Sequence, residues 1–488
     1  MNEALWVSGG SGDGDERPWS GSKCSWWQPA RCYNRSVSPH KQRHLVILGL
    51  VVIAGVGALV WALVATRGAG EPSPRTDASI ARDGVPSVFL VVGYRELRPI
   101  DPATGRDLPG YIPLQLSLNG AVAISPDSRT AAVARHHFAL FDLERWKPVG
   151  ELGQLGGVKE IHWSSDGRRL YVRGDENCQE GPGFGWLCES RIETINVTSG
   201  KVVSRAQLPS AYLYPHRYWT STRTDLAPKG HRVGRTLYLF GAFGNSNAID
   251  TSDDRPTTAH VVAFDLEAGK VQDELDLPGV LWGVRPEPYQ PDEPTMVGYY
   301  PAVAVSPDGR RAYIVHADAD RVTVVDLEGM RVERSDEIGR RQASLFERFL
   351  SSLAGNAYAK DVPIPEKSAA ISRDGGPLYQ EKWAAISPDG RFLYVGGVSE
   401  RFPTGSLGLQ VIDTGSLDIV AEITPGGDLY ADLAVHPSGR YLYAVTGGIT
   451  EGRLLVLDPV TLEVMAHRLT FGGVPIVAPA RGLTADTP

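Results

Sequence analysis

The chain has 488 residues, is 42% apolar and 22% charged, and carries a net charge of −8. This is an ordinary composition for a globular protein with a real core. The acidic balance argues against nucleic acid as a partner, because a phosphate-binding surface needs a cationic surplus.

In chain order, residues 1–44 read as a cytoplasmic, mostly disordered tail. Cys24 and Cys32 stand in its Trp-rich stretch KCSWWQPARC. Two cysteines with no histidine at finger spacing do not make a zinc site. Residues 45–65, LVILGLVVIAGVGALVWALVA, hold no charge over 21 positions. As a helix at about 1.5 Å per residue they span roughly 30 Å, the thickness of a bilayer core. A cleaved signal peptide has an apolar region of about 7–15 residues close to the start. This one is longer and follows 44 residues, so an uncleaved anchor is expected. Arg31, Arg35, Lys41 and Arg43 precede the span, and Arg67, Arg75 and Arg82 follow it. That bias favours an N-terminus inside and the rest of the chain outside. Residues 66–86, rich in Gly, Pro, Ser, Arg and Asp, read as a linker.

The 54 glycines and 35 prolines fit a turn-rich β protein. A Ser-Pro-Asp-Gly turn recurs as SPDS at Ser125, SSDG at Ser164, SPDG at Ser306 and Ser387, and HPSG at His436, with a weaker APKG at Ala227. Short apolar strands flank each copy, as in RFLYVGG and RYLYAVT, which predicts hairpins. A second mark follows each hairpin. It is a strand ending in Asp or Asn, a tight turn and another strand, at Asp101, Asp142, Asn196, Asp265, Asp326, Asp413 and Asp458. Four strands per unit, with a minimum period near 40 residues, is the signature of a propeller. Seven second marks against six tetrads predict ring closure. The stretch VPIVAPARG, Val474–Gly482, supplies the strand that the first unit, starting at Ser87, lacks. The expectation is an all-β, seven-bladed β-propeller of four-stranded antiparallel blades over residues 87–482, preceded by one transmembrane helix, with 483–488 as a tail.

SPDGRFLYV and SPDGRRAYIV, followed by strands such as VTVVDLEGMRV, resemble YVTN-type β-propeller repeats. These are relatives of the WD40-like, lactonase-like and amine-dehydrogenase heavy-chain propellers. The resemblance covers about 390 residues. It implies the fold, and it leaves the activity open because such propellers include enzymes and binding proteins.

In antiparallel four-stranded blades, counted A to D along the chain, the A–B and C–D turns share one end. The B–C turns and the links to the next blade share the other. The long segments are Asp175–Arg191, Pro209–Gly230, Gly241–His260, Val280–Tyr300, Gly339–Glu381 and Ser399–Ser406, and all belong to the second end. That end is the expected working surface. A helix is expected in RRQASLFERFLSSLAG, where Leu345, Phe346, Phe349, Leu350 and Leu353 form one stripe. Its bland role is packing across the propeller mouth, and the alternative is contact with a partner or the membrane. Two aromatic-rich loops, Tyr212–Trp219 and Trp282–Pro294, either line a cleft or pin their own segments.

Cys178 and Cys188 in CQEGPGFGWLC are spaced for a disulfide, which requires an oxidising compartment; the alternative is two free thiols. No nucleophile elbow, phosphate loop or H-E-x-x-H pair is present. The weak catalytic candidates lie along strand A at the mouth: Glu160, His162, Glu381, Lys382 and Asp432. They suit acid–base work or metal binding if they converge, and are otherwise rim charges. The acidic loop with Asp250, Asp253 and Asp254 lacks a calcium-binding pattern, so no metal and no cofactor is assigned. Two functions compete. One is a membrane-anchored extracytoplasmic scaffold that binds a protein or small-molecule ligand at its decorated face, with the bilayer held through one helix. The other is a propeller enzyme, of lactone hydrolase type or a periplasmic dehydrogenase subunit. A purely structural envelope component is the third reading.

Overall fold

The computed structural model describes residues 88–92, 95–114, 121–134, 138–153, 157–180, 186–209, 211–213, 229–242, 258–290, 293–340, 378–399, 406–423, 430–447, 452–470 and 473–477. The apolar span Leu45–Ala65, the expected helix around Leu345–Leu353 and the acidic loop Asp250–Asp254 lie outside them. Among the described residues no helix is long and apolar enough to cross a membrane. The chain divides into Met1–Thr76 and Asp77–Pro488, and the fold belongs to the second unit.

Strands β1 (Val88–Val92), β2 (Glu96–Pro99) and β3 (Ile112–Pro113) begin the first sheet. The second is β4 (Val122–Ile124), β5 (Thr130–Ala134), β6 (Phe138–Asp142) and β7 (Lys147–Gly153). The third is β8 (Val158–Trp163), β9 (Arg169–Glu180), β10 (Trp186–Asn196) and β11 (Lys201–Gln207), with β12 (Ala211–Leu213) added to β10. The fourth is β13 (Lys229–Val233), β14 (Thr236–Gly241), β15 (Thr258–Asp265) and β16 (Lys270–Leu281). A hairpin of β17 (Gly283–Gln290) and β18 (Glu293–Tyr300) precedes the fifth sheet, which is β19 (Ala302–Val305), β20 (Arg311–Val315), β21 (Arg321–Asp326) and β22 (Arg331–Glu337). After the short β23 (Gly339–Arg340) comes the sixth, β24 (Leu378–Ile386), β25 (Phe392–Ser399), β26 (Ser406–Asp413) and β27 (Asp418–Ile423). The seventh is β28 (Tyr430–Val435), β29 (Leu442–Gly447), β30 (Gly452–Leu457) and β31 (Val464–Thr470). Finally β32 (Gly473–Val477) pairs antiparallel with β1, Ile476 opposite Phe89.

The molecule is therefore an all-β propeller of seven four-stranded antiparallel blades, and its last strand completes blade 1 as the sequence predicts. Closure hides an edge that would otherwise stand open. One apolar cluster fills each junction between blades. At the closing junction Val88, Leu90 and Ile100 pack with Tyr443, Val445, Leu454 and Val456, all buried. The other six junctions are filled in the same way.

The repeated turns are stabilised by their own side chains. Ser387 Oγ donates to Asp389 Oδ1 at 2.5 Å and accepts the Phe392 N–H at 2.9 Å. The Ser306 turn repeats the pattern, its hydroxyl donating to Asp308 at 2.6 Å. At the second mark, Asp458 Oδ1 accepts the N–H groups of Val460 and Thr461. These carboxyls lie below the usual range: the Ser387 hydroxyl lowers Asp389 most, and the Thr461 N–H lowers Asp458 most.

Blade 4 departs from the expectation. Lys229 and Gly230 are already in strand β13, so the APKG at Ala227 is not the A–B turn. The turn is Gly234-Arg235, with Val233 opposite Thr236 and Gly234 at φ +55°. A left-handed position favours glycine. The governing signal is a glycine four residues before a tyrosine: Gly167–Tyr171, Gly234–Tyr238, Gly309–Tyr313, Gly390–Tyr394 and Gly439–Tyr443. The tyrosine can bind the next blade. Tyr238 Oη donates to Leu327 O at 3.2 Å, and Tyr443 Oη to Pro102 O at 2.9 Å.

Candidate functional site

The strand order gives the propeller a turn end, with the A–B and C–D turns, and a loop end, with the B–C turns and inter-blade links. The extra strands attach at the loop end. β9 and β10 pair onward as far as Glu180 and Trp186, and β12 adds to this extension opposite Trp186–Cys188. The segment Asp175–Arg191, expected as a loop, is thus largely paired strand. Val280–Tyr300, also expected as a link, forms the β17–β18 hairpin. β18 pairs in parallel with β24, Tyr300 beside Glu381. The two meet because each runs directly into the innermost strand of its blade, and neighbouring inner strands are parallel around a propeller. Glu381 consequently lies in the innermost strand of blade 6 and not in the 5–6 link.

The first two strands of several blades carry buried ionisable groups toward the loop end. In blade 3 the Arg173 side chain is 1% exposed and sits between Glu160, at 3.2 Å, and Asp175, at 3.3 Å. Ser190 Oγ donates to Asp175. Glu160 Oε1 accepts the Gly230 N–H of blade 4 at 2.8 Å, and its Oε2 lies 3.6 Å from His162 Nε2. Burial pushes the Glu160 carboxyl up, but Arg173, His162 and the Gly230 N–H together hold it well below the usual carboxylate range. A register shift between Val158 and Glu160 re-aims this part of β8. Lys159, inside the shift, is pushed down to about 8 by burial.

A second polar group joins blades 5 and 6. Lys382 is buried, its Nζ donates to Ala319 O at 2.9 Å, and it lies 3.7 Å from Asp320. Burial lowers its pKa. His316, 1% exposed, shares a hydrogen bond with Thr323 Oγ1 at 2.8 Å, which in turn meets Ser335 Oγ at 2.9 Å. Burial pushes His316 down to about 4, so it is neutral at physiological pH. In blade 7 Asp432 is buried and adopts φ +46° within a bulge of β28. A non-glycine residue held there stores strain of the kind found at functional sites.

Of the sequence-predicted residues, Glu160 and His162 come together and recruit Arg173 and Asp175. Lys382 turns to the blade 5 loop carrying Ala319 and Asp320, and Glu381 adjoins it on β24. Each of Glu160, His162 and Lys382 takes its partners from its own or the adjacent blade. Among the described residues no group of three or more His, Cys, Asp or Glu side chains is placed to hold a metal ion. The arrangement of the described residues presents fixed charge and hydrogen-bonding groups. Sequence reading missed Arg173, Asp175, His316 and Asp320. The signal for the last two was the acidic B–C turn HADADR, His316–Arg321, which lies at the same end.

A depression of about 490 Å³ lies at the turn end between blades 2 and 3, lined by Ser125, Asp127, Arg129, Trp163 and Asp166 among others. Its polar groups serve the local fold. Asp127 and Asp166 accept from Ser125 and Ser164 of their own turns, and Trp163 Nε1 donates to Ala123 O.

No protein-family model matches the chain. No curated protein sequence matches it. Among solved structures it is similar to the dihydro-heme d1 dehydrogenase NirN in complex with DHE, at 15% identity over 80% of this chain and 75% of that one, with a TM-score of 0.46. It is also similar to hydrazine synthase of Kuenenia stuttgartiensis, at 14% identity over 69% and 76%, TM-score 0.40. The β-propeller domain of Cps50 (Swd1) of Myceliophteria thermophila is a third, at 12% identity over 72% and 85%, TM-score 0.39. These likenesses are of fold, and no activity is taken from them.

Proposed function

We propose that the protein is a single-pass membrane protein whose extracytoplasmic propeller binds a protein or small-molecule ligand at its loop end. One observation carries this reading: β12, the β17–β18 hairpin and the β9–β10 extension all build on the same end of the ring. A rigid scaffold that elaborates one end and keeps short turns at the other is organised for recognition there. The charges Glu160 and Lys382 on the innermost strands, with Arg173 and Asp175 on β9 beside them, give that end a fixed polar character. The uncharged span Leu45–Ala65 supports the anchor, and the Arg and Lys residues before it support an N-terminus inside.

The compartment reading includes a disulfide between Cys178 and Cys188. Leu187 pairs with Gln179 and Glu189 with Glu176, so positions 178 and 188 both fall in the irregularity between these pairs, and Cys188 is fully buried. An oxidising location follows from it.

The test replaces residues 341–377 by a Gly-Ser linker long enough to cross blade 6. The full chain and this variant are compared in membranes for captured partners and for melting temperature. The reading predicts an intact fold with binding lost. Identical partners bound by both forms would contradict it.

A further inference from the structure

The outer strands of six blades can be superposed by a shared irregularity. Each has one extra residue near its start: Val149 in β7, Val203 in β11, Gln272 in β16, Glu333 in β22, Val420 in β27 and Met465 in β31. From that residue every second position belongs to the outward face. Five strands place charge there: Glu151, Arg205, Glu274 with Asp276, Glu333 with Glu337, and Glu422. Charge on an edge strand is the usual guard against pairing with another chain. β31 alone reads Met465, His467, Leu469. Met465 is 52% exposed and Leu469 74%, the highest value among the exposed large apolar residues of the described chain. The outer strand β27 is covered by β23, whereas β31 ends its sheet. Its one full charge, Arg468, is held by Asp107 of blade 1.

We propose that β31 is a self-pairing edge, and that two copies of the chain associate by antiparallel pairing of β31 with β31 about a two-fold axis at His467. The occupant follows from the sequence of the strand. Reversed on itself about His467, it lays Met465 of each copy against Leu469 of the other and Ala466 against Arg468. No like charges oppose one another, and apolar cross-strand pairs favour such a ladder. An isologous contact of this kind closes at two copies. Twist allows both copies to face the same way. Three strand-to-strand steps turn β31 by roughly 60–75° from the innermost strand, so it runs more across the propeller axis than along it. The two-fold, normal to the sheet at β31, then runs closer to parallel than to perpendicular to that axis, and both loop ends point to the same side. The association does not depend on what the loop end binds.

The experiment uses the full chain in detergent micelles, with protein mass measured by light scattering. The expected result is a dimer at tens of micromolar that becomes a monomer in Leu469→Glu. Because Leu469 is exposed, an unchanged melting temperature will show that the variant is folded. A second variant places a thiol on the axis. Under mild oxidation His467→Cys should cross-link to a dimer above the level of the parent chain, and Arg205→Cys, at the equivalent place in blade 3, should not. A monomeric parent chain, a dimer that survives Leu469→Glu, or equal cross-linking of the two cysteine variants would each overturn the proposal.

Discussion

Glu160 of blade 3 accepts the backbone N–H of Gly230 in blade 4 at 2.8 Å, although 70 positions separate them. The contact binds two inner strands at the loop end and leaves no room for a side chain on residue 230. A Cβ there would stand 2.3 Å from Glu160 Oε2 and 3.2 Å from His162 Nε2. Gly230→Ala should therefore lower stability by about 1–3 kcal/mol, the usual cost of overpacking, as read from the denaturant midpoint.

Arg173 satisfies two carboxylates in a nearly water-free place. Arg173→Leu leaves Glu160 and Asp175 without it and should cost about 3–5 kcal/mol. The matching double variant Arg173→Leu with Glu160→Gln should recover part of that loss in the same denaturation assay, because the stranded charge is gone.

Glu160 also predicts a pH dependence. Its folded carboxyl is held below its unfolded value near 4.5. Its contribution is thus fully present above that pH and is lost as pH falls below it. Acid denaturation of Glu160→Gln should be shallower below pH 4.5 than that of the parent chain. Parallel curves would remove Glu160 from the network.

Lys159 works in the opposite sense. Burial lowers its folded value from 10.5 to about 8. Keeping it charged therefore costs stability in full below pH 8, and nothing above 10.5. Lys159→Met should stabilise the protein at pH 7, and the gain should fade between pH 8 and 10.5 in thermal melts.

Tyr443 links the last blade to the first through Pro102 O. Tyr443→Phe should cost about 0.5–1.5 kcal/mol for the lost hydrogen bond, with the fold retained by the apolar cluster around it. The same substitution tests how strongly the closing junction depends on that contact.

The ring was legible because its marks are local chemistry. A glycine at positive φ, a serine and an aspartate that bind their own turn, and a tyrosine that spans to the next blade recur at fixed spacing. Where the turn degenerates, as in His231-Arg232-Val233-Gly234, only the Gly–Tyr interval survives, and a reading built on the full tetrad places the turn several residues early. The loop end was legible as a location but not in detail. β17 and β18 alternate poorly, with Pro286, Pro288 and Pro294 among them, and they are strands because β24 offers an inner edge. The Glu160–Arg173 pair depends on a bulge in β8 that no sequence pattern announces. Arg173 reads simply as one residue of the strand RRLYVRG until its burial is seen.

The central claim is that recognition occurs at the loop end. Photo-crosslinking from single positions in the full chain tests it most directly, with a benzophenone side chain at Asn177 or Asp320 of the loop end and at Glu144 or Arg145 of the turn end. All four positions are exposed. The account predicts adducts from Asn177 and Asp320 and none from Glu144 and Arg145. Adducts from the turn end alone, or from neither end, would contradict it.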